Sequence, residues 1–244
     1  MSERSLRSII AVALLVWLAP SPVLEAAHLS WLGHDACPPR EKCAMVVPSG
    51  FMALGEFTPR AWALPDEGAS TERREEQAEV LLRPDGQEIT RVTAAFRRQL
   101  DNAGAARLRD GRIVNVDERI KGQFRYLVIA NAPFGLGAPG YRLVPYRTVA
   151  VNPQRVPLGS VLFVPMLVGL PLPNGEVHDG FCFAHDSDPE LKPTQIALFV
   201  GFDDPTGPSL RRLITARSVR VYKADATTAT TLNRRFQSLF NWSG

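Results

Sequence analysis

The second half of the chain constrains the fold most. Between residues 146 and 224 it runs YRTVAVN, SVLFVP, EVHDGFCFAHD, QIALFVGF and SVRVYKA, separated by Pro-rich and Gly-rich turns. Runs this short and this rich in Val and Phe read as strands. Most carry apolar residues on both faces, whereas a sheet with one wet face alternates. Strands of this kind must be covered on both sides, and a small closed barrel filled by its own side chains does this. The tail TTATTLNRRFQSLF places Leu232, Phe236, Leu239 and Phe240 at helical spacing, as a stripe that docks on the barrel.

A different pattern precedes the strands. Residues 63–78, ALPDEGASTERREEQA, are polar enough for a surface loop or a short exposed helix. VLLRPDGQEITRV follows, with Asp85-Gly86 as a hairpin turn. Thr93 is placed to cap a helix through TAAFRRQLDNAG, whose Phe96, Leu100 and Ala103 share a face and whose Gly104 ends it. RLRDGRIVNV repeats the hairpin logic at Asp110-Gly111. The chain is long enough for one large core. It reads as one domain over 28–244, with 63–120 as an inserted hairpin and helix region and a barrel core at about 141–223.

The N-terminus carries Arg4 and Arg7 ahead of an apolar run from Ile9 to Ala19, then SPVLEAA. That is the composition of a secretory signal peptide over 1–27, cut near Ala26 or Ala27. The run is short for a bilayer span, which needs ~20 residues; a single-pass anchor is the rival reading. Export to the periplasm or cell envelope makes a disulfide between Cys37 and Cys43 reasonable, while Cys182 in GFCFAH reads as a buried thiol. A net charge of +3, scattered along the chain, and the lack of a recognition motif exclude a nucleic-acid partner.

YRTVAVNPQRVPLGSVLFVP, residues 146–165, closely resembles R-S-[IV]-A-V-D-P-x-x-I-P-x-G-[ST]-x-[VL]-x-[VI] of the three-aspartate (3D) domain. This domain belongs to the membrane-bound lytic transglycosylase A family and related cell-wall proteins. The family's next motif, A-x-D-[TV]-G-G-A-I-K-G-x-x-x-D-[LIV]-[FY]-x-G, aligns without a gap on AHDSDPELKPTQIALFVG, residues 184–201. Ala184, Asp186, Leu191, Lys192, Leu198, Phe199 and Gly201 match. GEFTPRAWALPDE and SVRVYK also resemble family members. The resemblance implies a mainly β protein, a six-stranded double-psi β-barrel with the inserted hairpin and helix region and a C-terminal helix. It implies action on peptidoglycan glycan strands, with cleavage that leaves a 1,6-anhydro end.

The departures bear on chemistry. The first family aspartate falls on Asn152, the second is kept as Asp186, and the third, the usual proton donor, falls on Ala197. The Gly-Gly after the second has become Asp188-Pro189, and a later Gly is Pro193, which restricts the loop. Lytic transglycosylases work with a single carboxyl of raised pKa. Asp186 is the candidate for it, with a structural carboxylate as the equal alternative, since Cys182, Ala184 and Asp186 share one face of a regular strand. Asp188 and Glu190 read as solvated turn charges.

Arg147, Asp179 and His185 are the candidate substrate contacts; the competing role of Arg147 is a buried ion pair. The His-Asp pairs at 178–179 and 185–186 do not make a metal set, because alternation separates the second pair. The expectation is an exported monomer without metal, cofactor or membrane span in its mature part. It either cleaves peptidoglycan strands or binds them after loss of the catalytic aspartate.

Overall fold

A computed structural model describes residues 47–69, 78–138, 140–173, 175–188 and 190–240, the last four by backbone alone. The expected export segment and Cys37 and Cys43 lie outside the described residues. Six strands close a barrel in the order β1-β10-β7-β9-β8-β11. They are β1 (Phe51–Trp62), β7 (Thr148–Val151), β8 (Val161–Phe163), β9 (Phe181–Ser187), β10 (Gln195–Phe199) and β11 (Val219–Ala224). β1 runs parallel to β10 and β7 parallel to β9; the other four pairs are antiparallel. The interior is filled by one face of each strand, including Phe57, Val149, Leu162, Cys182, Ala184, Leu198 and Val221. Closure gives each barrel strand two neighbours, and Leu232 and Phe236 cover the outer faces of β8 and β9, so those strands are apolar on both sides.

The barrel begins earlier than 141. β1 alternates Phe57, Pro59 and Ala61 inward with Thr58, Arg60 and Trp62 outward, a half-wet pattern unlike the other strands. Pro59 is tolerated for a reason the register supplies. β1 pairs with β11 over Phe51–Phe57 and with β10 over Thr58–Trp62, so it has one partner at Pro59. The Thr58 N–H donates toward β10, to the Thr194 carbonyl (2.8 Å). By alternation the N–H that Pro59 lacks faces the unpaired side, and no ladder bond is lost.

Between β1 and β7 the chain builds a second lobe. It holds the hairpin β2 (Ala78–Leu82) and β3 (Glu88–Thr93), helix α1 (Ala94–Ala103), and a three-stranded sheet of β4 (Ala105–Arg107), β5 (Ile113–Ile120) and β6 (Gln123–Ile129). The insertion therefore runs beyond 120, through β6. Thr93 caps α1 by accepting the Phe96 N–H (3.1 Å), and Gly104 ends it in the left-handed region at φ 78°. Leu81, Phe96, Leu100, Val114 and Tyr126 form the lobe's core. Residues 63–69 are not a free surface loop: Glu67 is buried and accepts the Arg109 N–H (2.9 Å).

A four-residue helix, α2 (Arg211–Ile214), precedes β11, and helix α3 (Ala226–Phe240) covers the barrel's outer wall. Phe236 stacks on Phe183 of β9 with ring centroids 3.9 Å apart, and Leu232 is buried beside it. Leu239 and Phe240 fall among the residues whose side chains are not described. No helix among the described residues is long and apolar enough to cross a membrane. Truncating Phe183 to Ala is expected to cost about 3–5 kcal/mol, the usual range for a buried aromatic. Urea unfolding checks this; an unchanged midpoint would mean that α3 does not rely on this contact.

Candidate functional site

The site follows from an irregularity in β9. Thr148 of β7 pairs with Phe183, but Ala150 pairs with Asp186, so β9 carries one extra residue between those two pairs. This is a β-bulge, and it changes which way the strand's end points. Before it, Cys182 and Ala184 face the barrel interior. After it, Asp186 lies level with Ala150, which faces outward with Ala197 and Leu191 against Trp62. The regular alternation expected for Cys182, Ala184 and Asp186 is broken, and Asp186 is on the outer surface.

The register extends across four strands. Asp186 pairs with Ala150, Ala150 with Ala197, and Ala197 with Arg60. Partners in register point the same way. One outer row thus reads Arg60, Ala197, Ala150, Asp186: a cation and an acid either side of two methyl groups. Three strand spacings separate the ends, about 14 Å between backbones.

A loop from the inserted lobe reaches Asp186. Asn115 of β5 holds it, accepting the Leu136 N–H (3.0 Å) and donating to the Leu136 carbonyl (2.6 Å). Two residues on, the Ala138 N–H donates to Asp186 Oδ1 (3.2 Å). Gly137 between them crosses β9 so closely that a Cβ would collide with the His185 carbonyl oxygen. Burial beneath this loop pushes the Asp186 carboxyl up to about 6. The N–H groups of Ser187 and Ala138 oppose the rise, and the negative charge of Asp188 adds to it. A half-buried carboxyl that holds its proton to such a pH is suited to general acid catalysis.

The expected substrate contacts lie elsewhere. His185 is 2% exposed, stacked on Tyr141 at 4.2 Å and edge-on to Phe236. Burial lowers its pKa to about 4, against a weaker opposing effect of Asn233, so the ring is neutral at pH 7. It packs the wall under the C-terminal helix. Arg147 is also 2% exposed and forms an ion pair with Asp179, while donating to the Phe181 carbonyl (3.1 Å). Beside them His178 is held neutral: burial, then the Arg147 charge, keeps its pKa well below the ordinary value. Asp179 lies just before β9, roughly 20 Å of extended chain from Asp186, and the Arg147 side chain is directed to it from the start of β7. They are a partly buried ion pair joining the starts of β7 and β9.

The two replaced aspartate positions have structural tasks. The Asn152 side chain donates to the Leu191 carbonyl (2.8 Å), and its Oδ1 accepts the Gln154 N–H (3.0 Å). Leu191 is thereby held against Ala197. Asp188 is half-buried and accepts the Glu190 N–H (2.8 Å) as a turn former, while Glu190 is exposed. Among the described residues no three His, Cys, Asp or Glu side chains gather as a metal site. The sequence reading did not assign Arg60, Trp62, Asn115 or Gly137 to the site. Alternation in TPRAW signals the first two; no local pattern signals the others.

No family model matches the chain, and no curated protein matches it. Solved structures do. The Escherichia coli lytic transglycosylase MltA with bound chitohexaose is similar at a TM-score of 0.50 and 14% identity, over 72% of this chain and 76% of that one. A membrane-bound lytic murein transglycosylase from Agrobacterium tumefaciens aligns at a TM-score of 0.45 and 13% identity, over 76% and 77%. MltA from Neisseria gonorrhoeae aligns at 0.40 and 12%, over 69% and 72%. The first of these shows the fold: this chain is a mainly β protein with a closed six-stranded barrel of the MltA double-psi type.

Since the folded pKa of Asp186 is raised, its ionisation opposes folding. Stability from this group is greatest below the unfolded value and is lost as pH rises toward about 6. Asp186→Asn is therefore expected to stabilise the protein at pH 7.5 by roughly 1–3 kcal/mol, with the difference vanishing below about pH 4. Denaturant titrations at the two pH values measure it. A variant less stable at pH 7.5 would show that the carboxylate is welcome where it sits.

Proposed function

We propose that this chain is an exported, monomeric cell-envelope protein that cleaves peptidoglycan glycan strands as a lytic transglycosylase, with Asp186 as its single acid and base. One observation carries the reading: a half-buried carboxyl with its pKa raised to about 6 on the outer face of an MltA-type barrel. The likeness to a protein with chitohexaose bound supports a glycan as the ligand.

The chemistry needs one proton-transferring group. Protonated Asp186 donates to the glycosidic oxygen as the C1–O bond breaks. The resulting carboxylate then takes the proton of the sugar's own C6 hydroxyl, whose oxygen bonds to C1 and closes the 1,6-anhydro ring. No water and no second carboxylate are consumed, unlike hydrolysis by a carboxylate pair. The Ala138 N–H steadies Asp186 without supplying enough hydrogen bonding to hold it ionised.

A second reading has its own observation. Ala197, at the family's proton-donor position, is 6% exposed and packed against Ala150, Leu191 and Trp62. A methyl group there favours a protein that binds glycan strands without cutting them.

Purified protein incubated with peptidoglycan sacculi separates the readings, with mass analysis for anhydro ends. Cleavage is expected below about pH 6 and to fall as pH rises through that value, because only the protonated acid starts the reaction. Asp186→Asn is expected to lose about 10²–10⁴-fold. Co-sedimentation without products, with products gained in Ala197→Asp, would favour the binding reading instead.

A further inference from the structure

The bulge puts two consecutive side chains, His185 and Asp186, on the same outer face of the barrel. Neither nitrogen of the buried His185 ring has a hydrogen-bond partner among the described residues, and neither has the Asn233 Oδ1 of α3. A buried polar ring is ordinarily bonded. This one is held by packing, flat on Tyr141 with the planes 7° apart and against Phe183 and Phe236. Tyr141 belongs to the loop that covers the acid. Its carbonyl accepts the Gly137 N–H (2.7 Å), Gly137 lies on the His185 carbonyl, and Ala138 donates to Asp186. Asn115 thus fixes this loop at Leu136, and the His185 ring fixes it at Tyr141.

We propose that His185 is the positioning residue of the acid: its neutral ring, held under α3, fixes the loop that covers Asp186, and its protonation loosens the helix and that cover together. The inference rests on the reading of Asp186 as the acid. The titratable groups facing the ring are Tyr141 from the loop and Asp186 from its own strand. α3 presents Asn233 and Phe236, with the exposed Arg234 and Arg235 between them. None of these is an anion in acid, because Asp186 holds its proton below about 6. A charged ring would therefore be buried without a counter-charge. Burial lowers its pKa from 6.5 to about 4, so opening of α3 takes up a proton. The contact is at full strength above pH 6.5 and weakens as pH falls toward about 4.

The full chain, labelled at aspartate, is titrated by NMR as wild type, His185→Phe and His185→Ala. Amide exchange of α3 is followed over the same pH range, corrected for the intrinsic rate. His185→Phe keeps a ring that cannot ionise, and His185→Ala removes the ring. Asp186 is expected to titrate near 6 in the wild type and in His185→Phe. In His185→Ala its midpoint is expected to fall by about one pH unit or more, toward 3.8. Wild-type α3 is expected to open roughly a hundred-fold more often at about pH 4 than at about pH 7.5, and His185→Phe should remove that dependence. If His185→Ala does not fold, Tyr141→Ala removes the other half of the stack and should give the same fall.

An Asp186 midpoint that stays near 6 without the stack overturns the positioning role and leaves Asp186 standing as the acid. Acid opening of α3 that persists in His185→Phe overturns the part played by protonation. A wild-type midpoint at the ordinary aspartate value overturns both the inference and the reading beneath it.

Discussion

The extra residue in β9 is the constraint on which this site depends. A closed barrel forces its strands to alternate between a packed interior and an outer face, and continued alternation from Cys182 and Ala184 would direct Asp186 inward. A carboxylate among Val149, Leu162 and Leu198 would face a large desolvation cost. The bulge moves it to the outer face in register with Ala150, where it is half-buried. A local fault in one ladder thereby moves a carboxyl from a core position to the outer face.

The inserted lobe completes the arrangement. Its core of Leu81, Phe96, Leu100 and Tyr126 is separate from the barrel's, but Asn115 on its sheet fixes the segment that reaches Asp186. Gly135 and Gly137 are needed for that segment: a side chain at Gly135 would strike Asn115, and one at Gly137 would strike β9. Burial of the acid is thus a joint property of two lobes. The barrel gives Asp186 its direction, and the insertion gives it its cover.

Much of this was legible from residue chemistry. Strands apolar on both faces imply a closed barrel, and the cap at Thr93 and the stop at Gly104 are local signals obeyed locally. Asp186 stood out because its motif neighbours keep their spacing. β1 was less visible because its outer positions, Thr58, Arg60 and Trp62, are half-wet, and Pro59 is acceptable only given the change of partner along the strand. The bulge has no signature in AHDS. Arg147 and Asp179 looked like ligand contacts because charge is visible in a sequence and burial is not; together they neutralise one another inside the fold.

The proposed chemistry requires that Asp186 keep its proton to near pH 6 in the folded protein. Its side-chain carboxyl carbon can be followed by NMR against pH in protein labelled at aspartate, with Asp186→Asn identifying the resonance. A midpoint near 6 is expected, well above the ordinary aspartate value of 3.8. A midpoint at or below that ordinary value would contradict it, because the group would then be a carboxylate throughout the working range and could not donate the first proton.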